Sequence, residues 1–219
     1  MTLRFGILCF PGVQQLDLTG PYEVFASAKG ASVHLVWRDT QPIRSSAGLT
    51  LIPDMTFAEA PNFDVLCVPG GGGVNAILTD EPVLAFVRDK AAKARFVTSV
   101  CTGALVLGRA GILRGKRAAT HWNAMDLLPL LGAIPVAERV VRDGSLITAG
   151  GVTSGIDFGL AVVAELLGRE EAETIQLALE YAPAPPFNAG TPDTASAAIV
   201  EAAKTRMAGS RRERERLLA

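Results

Sequence analysis

The chain has 219 residues, and its 21 lysines and arginines against 22 aspartates and glutamates leave a formal net charge of −1. With 49% hydrophobic and only 20% charged residues, it can bury a substantial core as one domain with a C-terminal extension. The near-neutral balance, the few aromatics and the lack of a basic stripe argue against a nucleic-acid partner, and the uncharged run 65–79 is too short to span a bilayer and carries four consecutive glycines.

The first strand is expected over 4–10, followed by a Pro11-Gly12 turn. This opening reads as a buried strand rather than a signal peptide, so the expected location is cytoplasmic. Thr19 and Gly20 have the composition of helix caps and Pro21 suits a first helical turn, which predicts a short helix over 22–28 with Asp17 just ahead of it. A second strand follows at 32–37, then an exposed hairpin over 43–52 around Ala47-Gly48.

Residues 63–68 form a near-continuous apolar strand of the kind buried on both faces of a parallel sheet. It runs into Pro69 and the glycines 70–73. Asp80, Glu81 and Pro82 open a helix that continues to 93, with its acids in the first turn where the helix dipole favours them. Strand and helix then repeat over 96–100 and 103–107, an alternation that predicts a mostly parallel sheet in an α/β fold.

Beyond a turn region, 118–122 reads as a strand end and 123–131 as a helix. Strands over 135–141 and 145–148 flank the hairpin signal Asp143-Gly144. Thr153 and Ser154 are cap candidates for a long apolar helix ending near Gly168, and another helix is expected over 170–181. A domain over 1–182 is thus followed by a segment over 183–219: a proline-rich arm over 183–192, a helical pattern over 193–207, and a charged tail over 211–216 read as solvated or frayed.

Three well-separated cysteines, Cys9, Cys67 and Cys101, without Cys-x-x-Cys spacing, argue against a disulfide framework or a zinc site. Two histidines, His34 and His121, offer a metal little more, so no metal site is expected. Cys9 and Cys67 lie inside strands and read as small buried hydrophobes. Cys101 differs because it falls on a strand-to-helix turn, where an α/β fold exposes a nucleophile. The free N–H groups of the following helix are expected to lower its thiol pKa below the free value.

The glycine loop over 70–73 ends another strand of the same sheet, so it and Cys101 should face one crevice. It lacks the Lys-Ser or Lys-Thr of a phosphate loop and the spacing of a dinucleotide site. A thiol nucleophile also needs a group that moves protons. The candidates are Asp17, Glu23, His121, Asp157 and the acids on surface helices; Asp17, flanked by Leu16 and Leu18, has a plain capping role as its alternative. His121, at another strand end, has a hydrogen-bonded core histidine as its alternative.

In these residues the sequence resembles the ThiJ/PfpI superfamily over nearly its whole length. The matching features are Phe-Pro-Gly at 10–12, Leu-Asp-Leu-Thr-Gly-Pro at 16–21 with Glu-Val-Phe at 23–25, Val-Pro-Gly-Gly at 68–71, Ser-Val-Cys-Thr-Gly at 99–103 and Thr-His-Trp at 120–122. Within the superfamily it is most similar to the isocyanide hydratases, a likeness strengthened by the segment 180–190 and by Pro192-Asp193. The resemblance implies a flavodoxin-like α/β three-layer sandwich, usually a homodimer, working on a small-molecule isocyanide without metal or organic cofactor. It implies Cys101 as nucleophile, Asp17 as general acid and base, and Thr102, Gly71 and Gly72 as substrate-orienting positions.

Thr102 stands where some relatives carry a histidine after the cysteine, and the first-helix acid is an aspartate rather than a glutamate. Both departures count against peptidase-like and glyoxalase-like members. Two alternatives stay open: a glyoxalase or deglycase using Cys101 and His121, and the amidase-like sensor half of certain transcription regulators.

Overall fold

The computed structural model describes residues 2–219. In chain order it contains β1 (Leu3–Leu8), α1 (Gln15–Ala26), β2 (Ala31–Trp37), β3 (Ile43–Arg44), β4 (Thr50–Leu51), β5 (Met55–Thr56), β6 (Val65–Val68), α2 (Val74–Ile77), α3 (Glu81–Ala91), β7 (Phe96–Val100) and α4 (Gly103–Arg109). There follow β8 (Arg117–Ala118), a 3-10 helix (Trp122–Leu131), β9 (Ile134–Pro135), β10 (Val140–Asp143), β11 (Leu146–Ala149), α5 (Ser154–Leu167), α6 (Arg169–Ala178) and α7 (Ala197–Leu218).

Seven strands make one sheet in the order β10-β11-β7-β6-β1-β2-β5. Every pair is parallel except β10 with β11, which turn back on each other at Gly144. Helices α1, α5 and α6 pack together on one face, while α2, α3, α4, the 3-10 helix and α7 pack together on the other. This is a flavodoxin-like α/β sandwich. Its central strands β6 and β7 are almost wholly buried, as expected for apolar strands covered on both faces.

One layer is keyed by aromatic packing. Phe5 on β1 stacks on Phe25 of α1 with centroids 4.4 Å apart, and Phe25 meets Phe158 of α5 edge-on at 5.8 Å. These contacts seat α1 against the sheet, and with it the acid that α1 carries.

Helix α1 begins earlier than its sequence predicts, at Gln15, so Thr19, Gly20 and Pro21 lie inside it rather than at its start. An interior proline forfeits one helical hydrogen bond. Here the small Gly20 and flat Pro21 face Ile156 and Gly155, where a side chain at either glycine would meet the opposite helix within 3.0–3.3 Å. Packing outweighs the local stop signal. The consequence is that Asp17 lies in the first turn of α1, not ahead of it.

Smaller differences have equally local causes. The helix expected over 123–131 is a 3-10 helix interrupted by Pro129, whose missing N–H weakens the α-helical ladder. The strand expected over 135–141 is split into β9 and β10. Thr153 and Ser154 precede or open α5, yet Thr153 makes no side-chain cap. Among the described residues, no helix is long and apolar enough to cross a membrane.

Gly103 opens α4 against the end of β6, where an added Cβ would run into the Val68 carbonyl oxygen and lie 2.8 Å from that of Pro69. Both are backbone atoms and cannot swing away. Gly103→Ala is therefore expected to destabilise the fold by about 3 kcal/mol, read as a lowered denaturation midpoint with an unchanged m-value.

Candidate active site

Cys101 directly follows β7 with φ = 55°, a left-handed conformation that only one other non-glycine residue, Glu180, adopts among the described residues. The turn is held from both sides. Its N–H donates to the carbonyls of Gly150 (2.8 Å) and Ala149 (3.1 Å), and its own carbonyl accepts from Thr120 Oγ1 (2.7 Å). A strained backbone persists only where its surroundings over-determine it. Here the strain turns the thiol away from the strand and toward the glycine loop.

That loop is wired to the residues on either side of the thiol. Gly70 N–H donates to Asp17 Oδ2 at 2.9 Å, and Gly71 N–H donates to Thr102 Oγ1 at 3.1 Å. A Cβ on Gly70 would sit 2.6 Å from Thr102 N and 2.8 Å from Asp17 Oδ2. A bare backbone is required there for the two to approach. Gly72 N–H is engaged by Ser46 Oγ at 3.3 Å, so the amides of Gly71 and Gly72 are both occupied by side chains of the protein.

Asp17 is wholly buried. Its Oδ2 is used by Gly70, while Oδ1 has no hydrogen-bond partner other than what the neighbouring Cys101 thiol can supply. Burial pushes this carboxyl up to about 7. The Gly70 N–H and the hydrogen bond with Cys101 oppose that rise without cancelling it.

The thiol does not follow the helix-end expectation. Cys101 is 6% exposed, and burial first, then the Asp17 charge, push it above the ordinary thiol value. The Thr102 N–H and Arg214 pull the other way. Desolvating a thiolate costs more than one N–H at the start of a short helix returns. The Asp17 charge pushes the thiol up while the hydrogen bond from the thiol pulls Asp17 down, so the carboxyl loses its proton before the sulfur does.

Cys9 and Cys67 are buried and pushed up to about 12 by desolvation, in keeping with a packing role. His121 is held neutral: burial, then Arg214, push it down to about 4, and its Nδ1 accepts from the Asn123 N–H at 3.2 Å. That leaves the histidine as the cap of the 3-10 helix. Neither Asp17 nor Cys101 lines the open groove of about 360 Å³ between α1, α5 and α6.

The residue the sequence did not reveal is Arg214. The stretch 211–216 is not a solvated tail but part of α7. Arg211 forks onto Asp126 (2.8 and 2.6 Å) and reaches the Asn123 carbonyl (2.7 Å), while Asn75 Nδ2 donates to the Ser210 carbonyl (3.1 Å). So anchored, α7 drives Arg214 inward until it is 9% exposed, with Nη2 donating to the Gly71 carbonyl at 3.1 Å. The signal was present as a stripe of Ala203, Met207, Ser210, Arg211, Arg214 and Leu218 at helical spacing. Arginine, where an apolar residue would have announced a packed face, concealed it.

A parallel sheet flanked by helices on both faces, with a left-handed cysteine at a strand end and a buried acid beside it, defines a cysteine-centred α/β protein. The chain belongs to the DJ-1/PfpI family, whose model matches residues 4–165. It is 60% identical over 210 residues to the isonitrile hydratase of Pseudomonas putida, covering 96% of this chain and 92% of that one. It superposes on the crystal structure of a ThiJ/PfpI family protein from Pseudomonas syringae with a TM-score of 0.97 at 42% identity, over 100% of this chain and 91% of that one. The HTH-type transcriptional regulator GbdR of Pseudomonas aeruginosa is 31% identical over 150 residues, 67% of this chain but 39% of the regulator.

Proposed function

We propose that this protein is an isocyanide hydratase, converting R–N≡C and water into an N-substituted formamide, with Cys101 as nucleophile and Asp17 as acid and base. The observation that carries the reading is the wholly buried Asp17, one oxygen tied to Gly70 and the other free beside the Cys101 thiol. The 60% identity to an isonitrile hydratase over nearly the full chain supports it.

The chemistry follows from that pair. The sulfur attacks the terminal carbon of the isocyanide, and the proton shared with Asp17 moves to the same carbon, giving the thioimidate R–N=CH–S–Cys101. The ionised Asp17 then takes a proton from water as the water oxygen adds to the carbon, and passes that proton to the nitrogen. Asp17 takes the hydroxyl proton as R–NH–CH(OH)–S–Cys101 collapses, expelling the sulfur as thiolate and releasing R–NH–CHO. One water is consumed, the pair returns with its single proton on Asp17, and no redox change occurs.

A neutral, apolar substrate suits a site from which water is largely excluded. Thr102 contributes its N–H to the sulfur. Gly71 and Gly72 are assigned to shaping the loop, since their amides hold Thr102 and Ser46. The protein is also proposed to act as a homodimer in the cytoplasm. Leu16, Leu49 and Ile52 are exposed apolar residues on α1 and the β3–β4 hairpin, two segments joined by the Ser45–Gln15 hydrogen bond. Light scattering on a size-exclusion column is expected to give twice the chain mass.

The regulator-sensor alternative is less favoured because the likeness to GbdR, 31% identity over 67% of this chain, is well below the 60% over 96% shared with the isonitrile hydratase. The test is to incubate the purified protein with an alkyl isocyanide and follow the formyl proton by NMR. Formamide is expected at a rate proportional to enzyme. No formamide, with glyoxal consumed instead, overturns the reading.

A further inference from the structure

Arg214 is a cation brought into the protein without an anion of its own. The residue is 9% exposed, its single hydrogen bond is to the neutral Gly71 carbonyl, and its Nε has no partner among the described residues. A buried charge in that state is costly unless something nearby balances it. Its neighbour Arg211 adds like charge, but that residue is committed to Asp126 and Glu215. His121, at the start of the 3-10 helix, is held neutral.

The group left to balance it is the pair across the glycine loop. Above about 7, where Asp17 from α1 has ionised, it and Cys101 after β7 hold one proton between them and carry one negative charge; Cys67, from β6, stays a neutral thiol. Arg214 holds the Gly71 carbonyl, Gly71 N–H holds Thr102, and Thr102 N–H faces the sulfur, whereas Asp17 is tied to Gly70. The cation thus approaches the pair from its sulfur side.

We propose that Arg214 is a positioning residue of this site: held on the Gly71 carbonyl by α7, it is the counter-charge that draws the shared proton from the Cys101 sulfur to the Asp17 carboxyl. It touches no substrate. It sets the fraction of the pair that exists as thiolate and carboxylic acid, the form in which the sulfur can attack and the acid can protonate.

The test reads the thiol directly, so it stands even if the hydratase reading on which the role rests were to fail. The rate of Cys101 alkylation by iodoacetamide is measured from pH 5 to 10, with Cys101→Ala as blank. Arg214→Met is expected to lower the plateau rate at least about tenfold, and Arg214→Lys to restore it to within about threefold of wild type. Arg214→Gln, whose amide can still donate to Gly71, is expected to behave like the methionine variant and keeps the test open if that variant does not fold. Asn75→Ala, which loosens α7 without removing charge, is expected to lower the melting temperature and leave the plateau unmoved. An unchanged plateau in a folded, uncharged Arg214 variant overturns the proposal, as does an equal loss in Asn75→Ala.

Discussion

Cys101→Ala is expected to reduce isocyanide hydration by at least about 10⁴-fold, because the covalent route has no second nucleophile to fall back on. The other thiols cannot substitute, since Cys9 and Cys67 are buried and pushed up to about 12. Alanine tolerates the left-handed turn at φ = 55° about as well as cysteine does, so the fold and the melting temperature should hardly change. Steady-state formamide release and circular dichroism check the two halves. Cys101→Ser keeps the geometry but offers a far less acidic nucleophile, and its loss should be of the same order.

Asp17→Asn is expected to lower kcat/KM by roughly 10²–10⁴-fold while making the protein more stable at alkaline pH. The two effects have one cause. The folded-state pKa of Asp17 is raised to about 7 from 3.8, so its favourable linkage is fully present below pH 3.8 and is lost as pH rises through 7. At about 1.4 kcal/mol per pH unit, holding the carboxylate ionised above that point costs the fold on the order of 4 kcal/mol. Asparagine escapes that cost but leaves an amide N–H₂ beside the sulfur, so the expected net gain at pH 8 is about 1–3 kcal/mol, fading to none near pH 4. Urea unfolding at the two pH values measures it.

The same titration sets the activity profile. Below about 7 the pair holds two protons and the sulfur is a neutral thiol; above it one proton remains. Wild-type kcat/KM should rise through pH 7 as a single ionisation. In Asp17→Asn that limb should disappear.

Much of this was legible in the chain itself. β7 and α4 frame Cys101 where an apolar β-branched run and a small-residue helix said they would, and the Asp143-Gly144 turn folds β10 against β11. These are local signals, and local energetics decides them. The start of α1 was misplaced because the close approach of Gly20 and Pro21 to α5 overrides a local stop. The direction of the Cys101 titration was misread because a turn near a helix end is visible in sequence, while the burial around it is not. Arg214 escaped for a related reason: its partner, the Gly71 carbonyl, lies 143 positions away, and the anions that balance it are drawn from two other elements.

Mass spectrometry of the intact protein and of its peptides after rapid quench, during turnover of an aryl isocyanide, tests the central claim most directly. An adduct equal to the mass of one isocyanide is expected on the peptide containing Cys101, forming and decaying at rates consistent with kcat. It should accumulate in Asp17→Asn if water attack is slowed more than adduct formation. Formamide released at full rate with no adduct on Cys101, or with the adduct on another residue, would contradict the covalent Cys101–Asp17 mechanism.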